Sequence, residues 1–393
     1  MNTASRLLLW MGFVVLTGCA SPPAALPPVP LGLFHDGGFR ASAAPASGAS
    51  LFTLSPAMRD YLHSPRFRER VRQLGPEKGL VDALYQNGEL KLEYDASITR
   101  NAAETFQAKM GNCLSLVIMT AAFAKELNMV VQYQDVAVAE TWTRAGGLYF
   151  ANTHVNIAFG RRGLEGNRGF NSSNLLLVDF LPPPEAGTLQ STPIDEDAIV
   201  AMYMNNRAAE LLAQNQLDDA YWWARNALAQ YPGHPNAFNT LGVIYQRHGD
   251  LALAEQTYKA GLEREPDNLH LMHNLAPVLT KLGKDAEART LVARLASLDP
   301  TPSFLYFNQG MLAMEKGNYK EAKVLFSKEV RRAPDNHEFH FWLAIAEWRL
   351  GEASSARDQM ALALETSNTQ EASARYSAKL AHLRALVGQR RQY

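Results

Sequence analysis

The chain has 393 residues, 47% of them hydrophobic and 20% charged, a balance that fits more than one globular core and excludes a polytopic membrane protein. Its 38 Lys and Arg nearly cancel 39 Asp and Glu, so a net charge of −1 gives no global support for nucleic-acid binding. Two cysteines, Cys19 and Cys113, exclude a disulfide framework and a cysteine-based zinc site.

Residues 1–18 begin with Arg6 and an apolar run from Leu7 to Leu16. That run suits a secretory signal and is about half of the ~20 apolar residues a spanning helix needs. It ends in Leu16-Thr17-Gly18-Cys19, which resembles the lipobox of bacterial lipoproteins. The resemblance implies cleavage before Cys19, lipid on its thiol and attachment to a membrane of the cell envelope. Ala20, in place of Asp, implies the outer membrane, facing the periplasm. Residues 19–50, rich in Pro, Ala, Ser and Gly, predict a partly extended tether.

Residues 51–190 form the next unit. Leu51 to Leu92 is mostly helical in pattern, and Leu114 to Leu127 is apolar on all sides, as in a buried central helix. Cys113 stands at the start of that helix, where unpaired backbone N–H groups suit a reactive thiol. His154 to Phe159 alternates as a strand, with His154, Asn156 and Ala158 on one face. Leu175 to Phe180 predicts a second strand carrying Asp179, joined to the first by a turn-rich segment from Gly160 to Ser173. A hairpin symmetric about Gly166-Asn167 would set His154 directly opposite Asp179, although so long a loop permits other registers.

Cysteine at a helix start, then histidine and aspartate on successive strands, resembles the transglutaminase-like branch of the papain-like fold, over about Thr99 to Pro184. The resemblance implies an α+β domain and thioester chemistry. Cys113 would attack an acyl carbon, His154 would serve as its acid–base partner, and Asp179 would orient the imidazole. The oxyanion donors would be the backbone N–H of Cys113 and the side chain of Gln107, six residues upstream. The plain alternative is a packed cysteine in an inert domain.

The second half is periodic. Pro232, Pro266, Pro300 and Pro334 recur every 34 residues, as do Ala220, Ala254, Ala288, Ala322 and Ala356, and the small residues Ala208, Gly242, Ala276, Gly310 and Ala344. The pattern resembles the tetratricopeptide repeat and implies an all-α solenoid of five copies over 198–366, with a capping helix in 367–393. Asn368 stands where the fifth repeat would carry its proline, and Pro277 should kink the first helix of the third. By the family's groove positions, Phe304, Phe307, Met311, Met314, Phe341, Ile345 and Trp348 would line an apolar groove. That groove would hold a protein or peptide ligand, or pack against the N-terminal domain or a second subunit. The pairs His270/His273 and His337/His340 read as surface histidines, and neither a metal nor a cofactor is expected.

Together these features suggest an envelope lipoprotein that joins a thiol acyl-transfer site to a polypeptide-binding repeat array, with amide or peptide hydrolysis favoured over cross-linking. The alternative is a non-catalytic repeat scaffold whose transglutaminase-like domain is inert.

Overall fold

Proline and serine open the first helices. In α1 (Pro56–His63) and α2 (Pro65–Leu74), Ser55 and Ser64 cap the N-terminus and a proline takes the first turn, where no N–H is needed. The computed structural model describes residues 28–42, 46–86, 90, 92–145, 148–160, 175–180 and 190–390, with the side chains of 137–153 and 386–390 left aside. Helix α3 (Pro76–Val81) runs into a π-turn over Asp82–Gln86. A two-stranded parallel pair follows, β1 (Glu93–Tyr94) with β2 (Met110–Gly111), and between them lies α4 (Ala102–Ala108), opened by an Asn101/Glu104 capping box.

Helix α5 (Cys113–Glu126) is buried at every residue from Leu114 to Ala124, as its all-round apolar sequence requires. It packs against a four-stranded antiparallel sheet of order β5-β4-β3-β6. The strands are β3 (Val130–Ala145), β4 (Leu148–Gly160), β5 (Leu176–Val178) and β6 (Ser191–Ile194). The segment expected to join the two sequence-predicted strands lies outside the described residues.

Helical hairpins fill the rest of the chain at the 34-residue period: α6 (Glu196–Ala213) with α7 (Leu217–Gln230), α8 (Pro235–His248) with α9 (Leu251–Arg264), α10 (Leu269–Lys281) with α11 (Asp285–Leu298), α12 (Leu305–Glu315) with α13 (Tyr319–Arg332), and α14 (His337–Arg349) with α15 (Ala353–Glu365). A last helix, α16 (Gln370–Arg390), packs on α15. The small positions are small for a reason: a Cβ on Gly242 would lie 2.4 Å from the Tyr258 ring, and one on Gly310 would lie 2.6 Å from Phe326. Helix α10 runs through Pro277 without ending there.

The expected tether is corrected where it is described. Residues 28–42 fold back onto the first two hairpins through two short 3-10 turns, Leu31–Leu33 and Asp36–Gly38. Val29, Leu33 and Phe39 are buried, and Phe39 stacks on Tyr221 with ring centroids 4.0 Å apart. The Tyr245 hydroxyl donates to the Leu33 carbonyl at 2.5 Å, the Tyr221 hydroxyl donates to Asp36 at 2.6 Å, and Arg40 pairs with Asp218 at 2.8 Å. A composition rich in proline and glycine hid Phe39 and Leu33, whose partners Tyr221 and Tyr245 lie about two hundred residues away.

One core runs from Val29 through α5 and the sheet to Ala288 of α11; repeats four and five have separate cores. The discontinuity traces to Pro302. Helix α12 starts five residues after Pro300, whereas α8, α10 and α14 start three after their prolines, and Phe304 takes φ 64° at the delayed start. Val292 and Leu298 of α11 are left 52% and 43% exposed at this junction.

Replacing Gly242 by Ala should displace the Tyr258 ring and cost about 1–3 kcal/mol. Urea unfolding of the Gly242→Ala chain should show a lowered midpoint. An unchanged midpoint would mean that the two helices have room to spare.

Candidate functional site

The start of α5 is fixed by a short chain of hydrogen bonds. The Asn112 side chain accepts the Ser115 N–H at 2.9 Å and the Ser115 hydroxyl at 2.8 Å, and donates to the Thr99 hydroxyl at 2.8 Å. The Thr99 N–H donates to the Glu210 carboxylate at 2.6 Å, and Asn206 reaches the Thr99 hydroxyl at 3.2 Å. Asn206 and Glu210 belong to α6, so the first repeat holds the loop that holds the cap of α5. Burial raises the Glu210 carboxyl above its usual range, against opposing bonds from Thr99 and Arg207.

At that capped start the half-buried Cys113 thiol lies beside the imidazole of His154, which is 3% exposed. His154 Nε2 bonds Asp179 Oδ1 at 2.6 Å, and Asn156 Nδ2 donates to Asp179 Oδ2 at 3.4 Å. The strands are paired two residues away from the symmetric register: Ile157 faces Val178, so the ladder sets Asp179 opposite Asn156 and diagonal to His154. A shift of two keeps both side chains on one face, and the diagonal still lets them meet.

Burial by itself would lower the His154 pKa; the bond to Asp179 and the neighbouring Cys113 thiol outweigh it and raise the imidazole from 6.5 to about 9. His154 Nδ1 is buried without a formed hydrogen bond, leaving it as the ring nitrogen available to the thiol. The thiol contact is therefore near enough to act electrostatically and looser than a closed bond, as unliganded thiol sites often are. Because folding raises this pKa, protonated His154 stabilises the fold below about pH 6.5, and that contribution fades as pH rises through about 9.

Gln107 is exposed on α4, and its side chain makes no hydrogen bond with the described residues. Tyr94, which the sequence did not single out, stands near the site: it pairs with Gly111 in the ladder and interacts electrostatically with Cys113. Repeat elements border the same region. The Ala96 N–H donates to the Asn368 carbonyl at 2.9 Å, and Gln370 Nε2 contacts Met110 Sδ at 3.8 Å. A cleft of about 420 Å³ lined by residues 264–269 opens at the turn between repeats two and three. Burial, then Glu265 of that turn, raises the carboxyl of Asp135, which also feels His154.

Of the seven expected groove positions, two are buried and five half-buried. Phe304 and Phe307 are each 1% exposed and pack with Phe326, Phe339 and Leu343, with Met311 and Met314 against the same cluster. Phe341 stacks on Tyr376 of α16 at 5.1 Å, and Ile345 and Trp348 pack beside it. The family's groove positions presume a regular fourth repeat, which the late start of α12 denies, and the cap covers the fifth. Of the histidine pairs, His270 and His340 are buried, His337 is half-buried and His273 is exposed, as expected of a surface histidine. His340 bonds Gln359 and the Pro334 carbonyl, each at 2.7 Å, and His337 bonds Tyr376 at 2.8 Å and Asn368 at 3.1 Å. Among the described residues no group of three or more His, Cys, Asp or Glu could hold a metal, and no helix is long and apolar enough to cross a membrane. Cys19 and the signal-like segment lie outside the described residues.

Asn112→Ala should destabilise the chain by about 0.5–2 kcal/mol through loss of the α5 cap. Denaturant unfolding measures this, and a change below that range would show that the Thr99 loop holds α5 without Asn112.

Models of the tetratricopeptide repeat family match residues 247–306 and 307–374. A TPR repeat-containing protein of Pseudomonas aeruginosa is 28% identical over 130 residues, which are 33% of this chain and 22% of that protein. The STIP1 homolog of Dictyostelium discoideum is 28% identical over 155 residues, 38% of this chain and 26% of that protein. The type IV pilus assembly protein PilF of Pseudomonas aeruginosa is 28% identical over 109 residues, 27% of this chain and 43% of that protein. The chain thus spans less than half the length of each of these curated relatives. Its C-terminal region carries tetratricopeptide repeats, an architecture whose extended surfaces bind peptide or protein partners.

Proposed function

We propose that the chain is a protein-binding repeat scaffold whose N-terminal unit adds a Cys113–His154–Asp179 thiol site acting on an amide or peptide bond. The matches to the repeat family support the scaffold. The observation that carries the thiol site is the 2.6 Å bond from His154 to Asp179 beside a cysteine at a helix start, with the imidazole raised to about 9. In the reaction, Cys113 sulfur bonds the acyl carbon, the carbon–nitrogen bond breaks, and His154 passes its proton to the departing amine. Water then cleaves the thioester, so the net change is hydrolysis. The repeats hold the polypeptide, and the Ala96–Asn368 contact keeps the fifth repeat beside the loop that leads to Cys113. The lipobox-like Leu16-Thr17-Gly18-Cys19 supports an outer-membrane lipoprotein facing the periplasm.

A second reading keeps the scaffold and makes the N-terminal unit inert. It is favoured by the family matches, which fall on residues 247–374. Iodoacetamide separates the two. In the active reading Cys113 of the native chain is alkylated at pH 7 at least about tenfold faster than in His154→Ala. Equal, slow alkylation of both chains would leave the scaffold alone.

A further inference from the structure

The sequence offered Gln107 as a partner for the Cys113 N–H in stabilising an oxyanion, and the structure leaves Gln107 exposed on α4. The side chain of Asn112, next to the thiol, is spent on Ser115 and Thr99. Strand β1 brings a different group. The Glu93 N–H donates to the Lys109 carbonyl at 2.9 Å and the Asp95 N–H to the Gly111 carbonyl at 3.1 Å, which pins Tyr94 beside Gly111. The register has little freedom to slip: Lys109 ends α4 in the left-handed region at φ 55°, Asn112 caps α5, and Asp95 is itself held by the Ser97 N–H at 3.0 Å.

Cys113 is the first residue of α5, so its N–H has no acceptor within the helix. The Tyr94 phenol, set opposite Gly111 in the ladder, comes within interaction range of Cys113. We propose that the Tyr94 hydroxyl and the Cys113 backbone N–H are the two donors of the oxyanion site. This rests on the thiol reading above. When an acyl oxygen enters, it accepts from the N–H, and the phenol donates its own proton to the same atom. Tyr94 is 41% exposed, so its side chain is in part open to solvent. Burial, and next the Cys113 thiol, raise the phenol pKa, which keeps the hydroxyl protonated and able to donate.

Two electrophiles separate this role from a packing role. With p-nitrophenyl acetate, Cys113 sulfur bonds the acetyl carbon, the carbonyl electron pair moves onto oxygen, and collapse breaks the bond to the aryl oxygen. The products are acetyl-Cys113, p-nitrophenolate and the thiol proton, which passes to His154 or solvent. Iodoacetamide reacts with the same sulfur by direct displacement and forms no oxyanion. In the full chain, Tyr94→Phe should slow the p-nitrophenolate burst by about a hundredfold while leaving alkylation within about twofold. The alkylation rate reports an intact site in the variant. Equal losses in both reactions, or a loss in neither, would overturn the role of Tyr94. A wild-type chain inert to both reagents would overturn the thiol reading beneath it.

Discussion

Helix α5 is apolar on every face, and such a helix persists in water only when it is enclosed on every side. The enclosure comes from the sheet, from α3 and α4, and from α6 of the first repeat. This one requirement joins the two halves of the chain, because the wall contributed by α6 is also the start of the solenoid. Each fully buried large side chain contributes about 1.5–3 kcal/mol to that enclosure. The position of Cys113 follows from it. A thiol at the first residue of a fully enclosed helix is set by the whole core, and the Asn112–Thr99–Glu210 chain passes that constraint on to the repeat.

The solenoid is not built on one core. Repeats one to three share the core of α5 and carry residues 28–42 on their surface, whereas repeats four and five are built around aromatic clusters of their own. Pro302 and the left-handed Phe304 delay the fourth repeat and break the stack. The second part of the array then meets the N-terminal unit at Ala96 and Met110, close to the thiol. The residue that replaces the fifth period-marking proline, Asn368, makes the first of these contacts.

The 34-residue period was legible because proline, alanine and glycine each answer a local steric demand that recurs in every hairpin. Cys113, His154 and Asp179 were legible by residue type and order. Their register was not, since a long connecting segment leaves the pairing free; an even shift preserved the face and let the site assemble diagonally. Tyr94 was invisible because it sits far upstream on a two-residue strand that no periodicity marks. Strands β3 and β6 and the docked segment 28–42 were missed for related reasons. Phe39 and Leu33 are isolated apolar residues among proline and glycine, and only their partners Tyr221 and Tyr245 explain them. Of the expected groove, Phe304 and Phe307 enter the core of the fourth repeat, where α12 starts late, and Phe341 of the regular fifth repeat is met by Tyr376 of the cap.

The coupling of Cys113, His154 and Asp179 into one unit is the claim on which the chemistry depends, and the His154 ring reports it. An NMR pH titration of the imidazole should place its pKa near 9 in the native chain, and lower it when either Cys113→Ser or Asp179→Asn removes a partner. An imidazole that titrates near its ordinary 6.5 and ignores both substitutions would contradict the account.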